Sequence, residues 1–397
     1  MRLSLLLSLL PLALAGPTGK RSEPAPVLTP RAEAQHLISD KYIVKFKEGS
    51  ALSLLEDAFK MLSGGKPDQV FEGMFTGFSS TLDQLTLEAL RHHPDVEYIE
   101  QDAMARADAY VTQNGAPWGL GRISHREAGS SQYVYDDSAG EGVCAYIIDS
   151  GIDASHPDFE GRATFAKQFG PGPFSDNCRH GTHVAGTIGG KTYGVAKKAD
   201  LYAIKVLNYS QQENDCVGSY SDIISGMNYV ATDSANRNCP NGVVVNMSLG
   251  GGYSKATNDA ADALTRKGFF VAVAAGNSNR DASGFSPAST ESVCTVGGTA
   301  RDDTRYSGSN YGSLVDINGP AVGVVSTVPG GGTASFTGTS MASPHIAGLA
   351  AYIASRDGIK AGPELCSKIA DEATRNKIKN PARNTVNLIA FNGNPSG

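Results

Sequence analysis

A chain of 397 residues, 40% of them apolar and 19% charged, has room for two domains and a large buried core. The formal net charge of −6 excludes the basic footprint of a nucleic-acid binder. Forty-six glycines point to many tight turns and close backbone approaches.

Residues 1–15 run from Met1-Arg2 through the apolar block Leu3 to Leu14 and close on Ala13-Leu14-Ala15. A basic start, a short apolar run and a small-residue ending read as a secretory signal cleaved after Ala15. A membrane anchor needs roughly 20 apolar residues, and no later segment supplies them. The expectation is a secreted, soluble protein. Residues 16–40 are polar, contain proline and lack periodicity, which reads as a linker or disordered lead. From Lys41 the pattern alternates, with Tyr42, Val44 and Phe46 on one side, and predicts a strand. Helices are expected over Leu52 to Leu62 and Leu85 to His92, a strand pair over Phe71 to Leu82, and a last strand over Val96 to Glu100. This small α+β module, about residues 41–105, holds no cysteine and ends in the cleavable-looking Ala105-Arg106-Ala107-Asp108.

After Trp118 the pattern becomes strand, loop, helix, repeated. Near-continuous apolar strands are expected at Cys144 to Ile148, Leu201 to Leu207, Val243 to Leu249, Phe269 to Ala275, Val293 to Val296 and Leu314 to Ile317. Helices alternate with them at Tyr220 to Ala231 and around Ala256, Ala260 and Leu264. Such strands imply a parallel sheet covered on both faces, with chemistry beyond the strands' carboxyl ends. Asp149, Ser248-Leu249-Gly250 and Asn277 sit at such ends.

Three stretches read together: Asp149-Ser150-Gly151-Ile152-Asp153, His180-Gly181-Thr182-His183 opening a small-residue helix, and Gly338-Thr339-Ser340-Met341-Ala342 at the start of an apolar helix. Ser340 alone would read as an ordinary helix cap. A serine becomes a nucleophile when an imidazole takes its proton and a buried carboxylate holds that imidazole's tautomer. The order Asp, His, Ser differs from the Ser, Asp/Glu, His order of α/β-hydrolases, and is that of subtilisin.

On these motifs the chain resembles the subtilisin-family serine proteases, most of all their proteinase K branch, from Ala116-Pro117-Trp118-Gly119-Leu120 to Asn384-Thr385-Val386-Asn387-Leu388. The resemblance implies a three-layer, parallel-sheet α/β peptidase domain over 109–397. It makes 16–108 a propeptide whose ferredoxin-like α+β module inhibits the enzyme and assists its folding. It implies a broad endopeptidase with Asp149, His180 and Ser340 as triad and Asn277 as oxyanion donor. Ser248, Leu249 and Gly250 resemble one substrate-pairing segment and Gly218, Ser219 and Tyr220 the other, with Gly276 beside the pocket for a large apolar or aromatic residue. It pairs Cys144 with Cys239 and Cys294 with Cys366, and makes Asp316 and the Val293 carbonyl ligands of a structural calcium ion, with no catalytic cofactor.

Cys178 and Cys216 have no counterpart in that pattern. An even number of cysteines in an oxidising compartment suggests disulfides, and a third one joining these two would tie together two active-site loops. His183, Asp153 and His345 read as structural residues. Asn208-Tyr209-Ser210 is a plausible glycosylation sequon, whereas Asn246-Met247-Ser248 falls in a buried strand. Peptide substrates and the chain's own propeptide are the expected partners, and a monomer is the default.

Overall fold

The computed structural model describes residues 23–30, 37–50, 52–104 and 110–397. The signal segment 1–15 and residues 105–109 of the expected cleavage interval lie outside them. The chain divides into two compact units, Met1–Arg106 and Ala107–Gly397.

In the first unit five strands form one sheet, in the spatial order Val27–Leu28, Val96–Ala103, Leu37–Phe46, Gly77–Thr81, Gln69–Phe71. Two helices, Leu52–Phe59 and Gln84–Arg91, accompany it. Asp83 caps the second helix by accepting from Thr86 N at 2.7 Å. The alternation that marked Val44 and Phe46 places both in a core with Leu55, Phe78, Leu90 and Ile99.

The second unit is built on a nine-stranded sheet. Its spatial order is Thr374–Arg375, Leu388–Ile389, Ile317–Pro320, Cys294–Thr299, Phe270–Ala274, Val243–Met247, Cys144–Asp149, Asp200–Lys205, Ala163–Gln168. Every pairing is parallel except Thr374–Arg375 with Leu388–Ile389. Cys144–Asp149 shows why these strands carry unbroken apolar runs. Ala145 and Ile147 enter one core with the helices His180–Gly189 and Thr339–Arg356, while Tyr146 and Ile148 enter the other, against Tyr220–Asp233 and Lys255–Arg266. Burial on both faces leaves no polar side to alternate. The three-layer α/β architecture is as expected.

Cys144–Asp149 lies between Asp200–Lys205 and Val243–Met247. From this strand the chain first builds the sheet in one direction and then returns to build the other. A crevice opens beyond the carboxyl end of such a strand, and Asp149 is its last residue.

Several strands differ in extent from expectation. Val27–Leu28 and the start of Leu37–Phe46 fall within the lead 16–40 expected to lack structure, and both pair into the first unit's sheet. The Asp200 strand stops at Lys205 because Val206 N and Leu207 N both bond to the Asp149 carbonyl, bending the chain over the carboxyl end. The strand expected at Leu314 begins at Ile317, since Val315 N closes a turn on Gly312 O and the Asp316 carboxylate accepts from Thr295 N. The half-buried edge strand Ala163–Gln168 has mixed burial and no clear period, so its sequence did not announce it.

The buried Arg122 donates to both carboxylate oxygens of Asp303, at 2.6 and 3.2 Å, and to His125 O at 2.7 Å. Removing one member of such a pair leaves a desolvated charge. Asp303→Ala should therefore cost about 3–5 kcal/mol of stability, read from the denaturant midpoint. A loss under about 0.5 kcal/mol, the size of a surface substitution, would show that the pair does not hold this corner.

Candidate active site

Asp149 has no exposed surface. Its Oδ1 accepts from Ser150 N at 2.7 Å, and the two carboxylate oxygens take His180 Nδ1 at 2.8 and 3.0 Å. A ring nitrogen facing a carboxylate on both oxygens carries the proton, which leaves Nε2 as the basic nitrogen. His180 opens its helix straight after Arg179, held at φ 65°. That backbone conformation is uncommon for a residue with a side chain, and Asp176 enforces it. Buried Asp176 accepts from Ser150 Oγ, Cys178 N and Arg179 N on one oxygen and from Thr182 N and Thr182 Oγ1 on the other. Gly181 N closes the clamp on Ser150 Oγ at 2.8 Å. Beneath the two acids lies buried Lys205, whose ammonium donates to Ser150 O, Asn177 Oδ1 and Leu207 O. Burial acts to lower the His180 pKa, but the charge and hydrogen bond of Asp149 outweigh it, with Asp176 and Asp215 assisting, and the result is a raised value.

Ser340 is the second residue of the Thr339–Arg356 helix, and every other residue of that helix except Arg356 is buried. Pro344 lies one turn on and has no N–H for the Ser340 carbonyl. Ser248 Oγ donates to that carbonyl instead, at 2.7 Å. In return Ser340 Oγ donates to Ser248 O at 3.1 Å. Among the described residues this is the hydroxyl's hydrogen bond, and none joins it to His180. Resting geometries of this kind are often loose until substrate binds.

Asn277 is turned by its neighbours. Its Oδ1 accepts from Thr339 N at 2.8 Å and Thr339 Oγ1 at 3.0 Å, which leaves the amide donor free to point elsewhere. The loop that carries it is pinned by Asn310, which donates to Ala275 O and accepts from Ser278 N and Arg280 N. Gly276, at φ 103°, packs so tightly on Asn310 that a Cβ there would collide with its amide.

His180, Ser340, Asn277, Gly276, Ser248, Leu249, Gly250, Gly218 and Tyr220 all line one cleft of about 650 Å³. Asp149 lies behind it. Ser219 is not among the lining residues; it caps the Tyr220 helix by accepting from Asp222 N. Tyr220 OH donates to Gly252 O at 2.6 Å, fastening one cleft wall to the other. The structure contains three disulfides, Cys144–Cys239, Cys178–Cys216 and Cys294–Cys366. The second joins a residue just before His180 to one just before Gly218.

Val293 and Asp316 lie away from the cleft. Burial pushes the Asp316 carboxyl up to about 6, and among the described residues no cation pairs with it. A carboxylate in that state suits a divalent ion, so Asp316 fits the calcium expected there. The nearby Cys294 and Cys366 sulfurs are spent in a disulfide and offer no ligand.

The structural readings of the other residues agree with what surrounds them. His183 donates from Nε2 toward Val324 O and Ala334 O and stacks on Phe336. Buried His345 bonds to Met341 O. Asp153 accepts from Ser155 and from Gly330 N of the glycine loop. Asn246 is buried and bonds Ser248 and Ser343. Asn208 opens a hairpin with its Oδ1 buried and unpartnered. Sequence reasoning missed Asp176, Lys205 and Asn310. Asp176, four residues before His180, was the one with a signal in reach.

A model of the subtilase family matches residues 140–392, and one of the peptidase inhibitor I9 family matches residues 41–108. The chain belongs to the subtilase family. It is a subtilisin-like serine endopeptidase of the proteinase K type, preceded by an I9 inhibitor propeptide. A cuticle-degrading protease of Metarhizium anisopliae is 56% identical over 395 residues, which is 99% of this chain and 100% of that one. Proteinase R of Parengyodontium album is 53% identical, covering 99% of each. The crystal structure of a cold adapted subtilisin-like serine proteinase superposes with a TM-score of 0.64 at 38% identity, over 70% of this chain and 99% of the other.

The balance of burial against charge at His180 is measurable. In the processed subtilase its ring, followed by NMR, should titrate above the ordinary 6.5. In Asp149→Asn the midpoint should fall below that value, because burial then acts without its main opponent. A wild-type midpoint at or below 6.5 would contradict this balance.

Proposed function

We propose that this subtilase is a secreted zymogen that hydrolyses peptide bonds through an acyl-enzyme formed on Ser340. The Asp149–His180 hydrogen bond, opening on the same cleft as the half-buried Ser340 hydroxyl at the start of a largely buried helix, is the observation that carries the reading. With Nδ1 held by Asp149, His180 Nε2 takes the Ser340 proton as Oγ attacks the carbonyl, and then delivers it to the leaving amine. The negative charge that develops on the substrate oxygen meets the Asn277 amide and the Ser340 backbone N–H at the helix start. A water then repeats the sequence and frees the acid. Substrate would lie as an extended strand between Gly218-Ser219-Tyr220 and Ser248-Leu249-Gly250, pairing through the backbone. Side-chain selection then falls mainly to the pocket beside Gly276, which suits large apolar or aromatic residues.

The same reading takes 1–15 as signal, 16–108 as propeptide and 109–397 as the working enzyme. The module's last strand would occupy the cleft until cut between Ala105 and Val111. Asp316 and the Val293 carbonyl would hold calcium as a structural brace, and Asn208 would carry a glycan. No helix of the described residues is long and apolar enough to cross a membrane.

The processed protein should cleave casein and a chromogenic peptide with an aromatic residue before the cut. Ser340→Ala should lose roughly 10⁶-fold in kcat and Asn277→Ala roughly 10²–10³-fold, magnitudes taken from subtilisin itself, a member of the same family. Equal rates for wild type and Ser340→Ala would end the reading.

A further inference from the structure

An uncommitted charge stands on the cleft wall beside His180. Asn208–Ser210 and Asp215–Val217 pair as a two-stranded hairpin, and its returning strand forms part of that wall. Among the described residues lining the cleft, Asp215 is the one carboxylate, and no lysine or arginine lines it. Asp215 is exposed, and its carboxylate is held locally, accepting from Cys216 N at 2.7 Å. Among the described residues it forms no ion pair. The Cys178–Cys216 disulfide, with Cα atoms 5.9 Å apart, anchors the hairpin beside the loop that ends in His180. Asp215 is therefore held at the rim, one residue from a covalent tether.

An extended substrate paired to both walls directs successive side chains to opposite faces of the sheet it completes. In this reading the residue before the cleaved bond turns inward, toward Gly250, Gly276 and Ala288. The residue preceding that one then turns outward, toward the rim where His180 and exposed Asp215 stand. We propose that Asp215 is a specificity-determining residue that selects a lysine or arginine as the second residue before the cleaved bond and disfavours an acid there. The inference rests on the strand-addition reading above and adds a charge rule that backbone pairing alone does not supply. Asp215 lies near enough to His180 for its charge to help raise the histidine's pKa.

An exposed pair of this kind changes rates modestly, by roughly 1.4- to fivefold. The test uses three chromogenic peptides that share an aromatic residue before the cut and differ only one position earlier, carrying lysine, glutamine or glutamate. At low salt kcat/KM should fall in that order, by about threefold per step, and the steps should shrink at high ionic strength. Asp215→Asn should flatten the series and Asp215→Glu should retain the order. Glu213→Gln, an exposed acid on the same hairpin outside the cleft lining, should leave the series as it is. Equal rates on all three peptides in the wild type, or an order that survives Asp215→Asn, overturns the inference and leaves the protease reading intact. Cleavage of none of the three would overturn both.

Discussion

Pro344 withholds a backbone donor from the first turns of the Thr339–Arg356 helix, and the Ser340 carbonyl that would have received it takes the Ser248 hydroxyl instead. That exchange joins the helix carrying the reactive hydroxyl to the wall along which a substrate strand would lie. The helix itself has little freedom. It is buried along its length, against His180–Gly189 and several strands of the large sheet, and emerges only at Ser340 and at Arg356. Close packing of this kind resists small displacements, so the hydroxyl keeps its place without help from a hydrogen bond to His180.

The opposing half of the site is held by charge. Asp149 is buried at the end of the strand where the sheet's building direction reverses, Asp176 clamps the turn into His180, and Lys205 lies beneath both acids. Buried charges are costly unless paired and hydrogen-bonded, and each of these three makes several hydrogen bonds. The two acids leave a histidine that favours its protonated form more than an ordinary one. That is the form the general base takes as a serine attacks, so the ground-state electrostatics already lean toward the transition state.

Much of this was legible in the residues. Unbroken apolar runs ending on Asp149, Met247 and Ala274 give a parallel sheet because burial on both faces removes alternation. Three short motifs, far apart in the chain, meet at one cleft because one lies at a strand end and the other two begin buried helices. What escaped the reading is the support. Asn310 acts through one buried amide on a loop with no periodicity, Lys205 reads as an ordinary strand residue, and the edge strand Ala163–Gln168 is too mixed to announce itself. The Cys178–Cys216 bond was open on spacing alone, since pairing depends on which loops the fold brings together.

A hydroxyl on a buried helix, made reactive by a histidine that Asp149 orients, is the account's central claim. Reaction with an arylsulfonyl fluoride tests it most directly, because the serine oxygen displaces fluoride only when a base takes its proton. Mass spectrometry of the processed enzyme should find one sulfonyl group, on the peptide containing Ser340, and His180→Ala should slow labelling by orders of magnitude. Labelling that falls on another serine, Ser248 included, or that proceeds equally well without His180, would contradict the account.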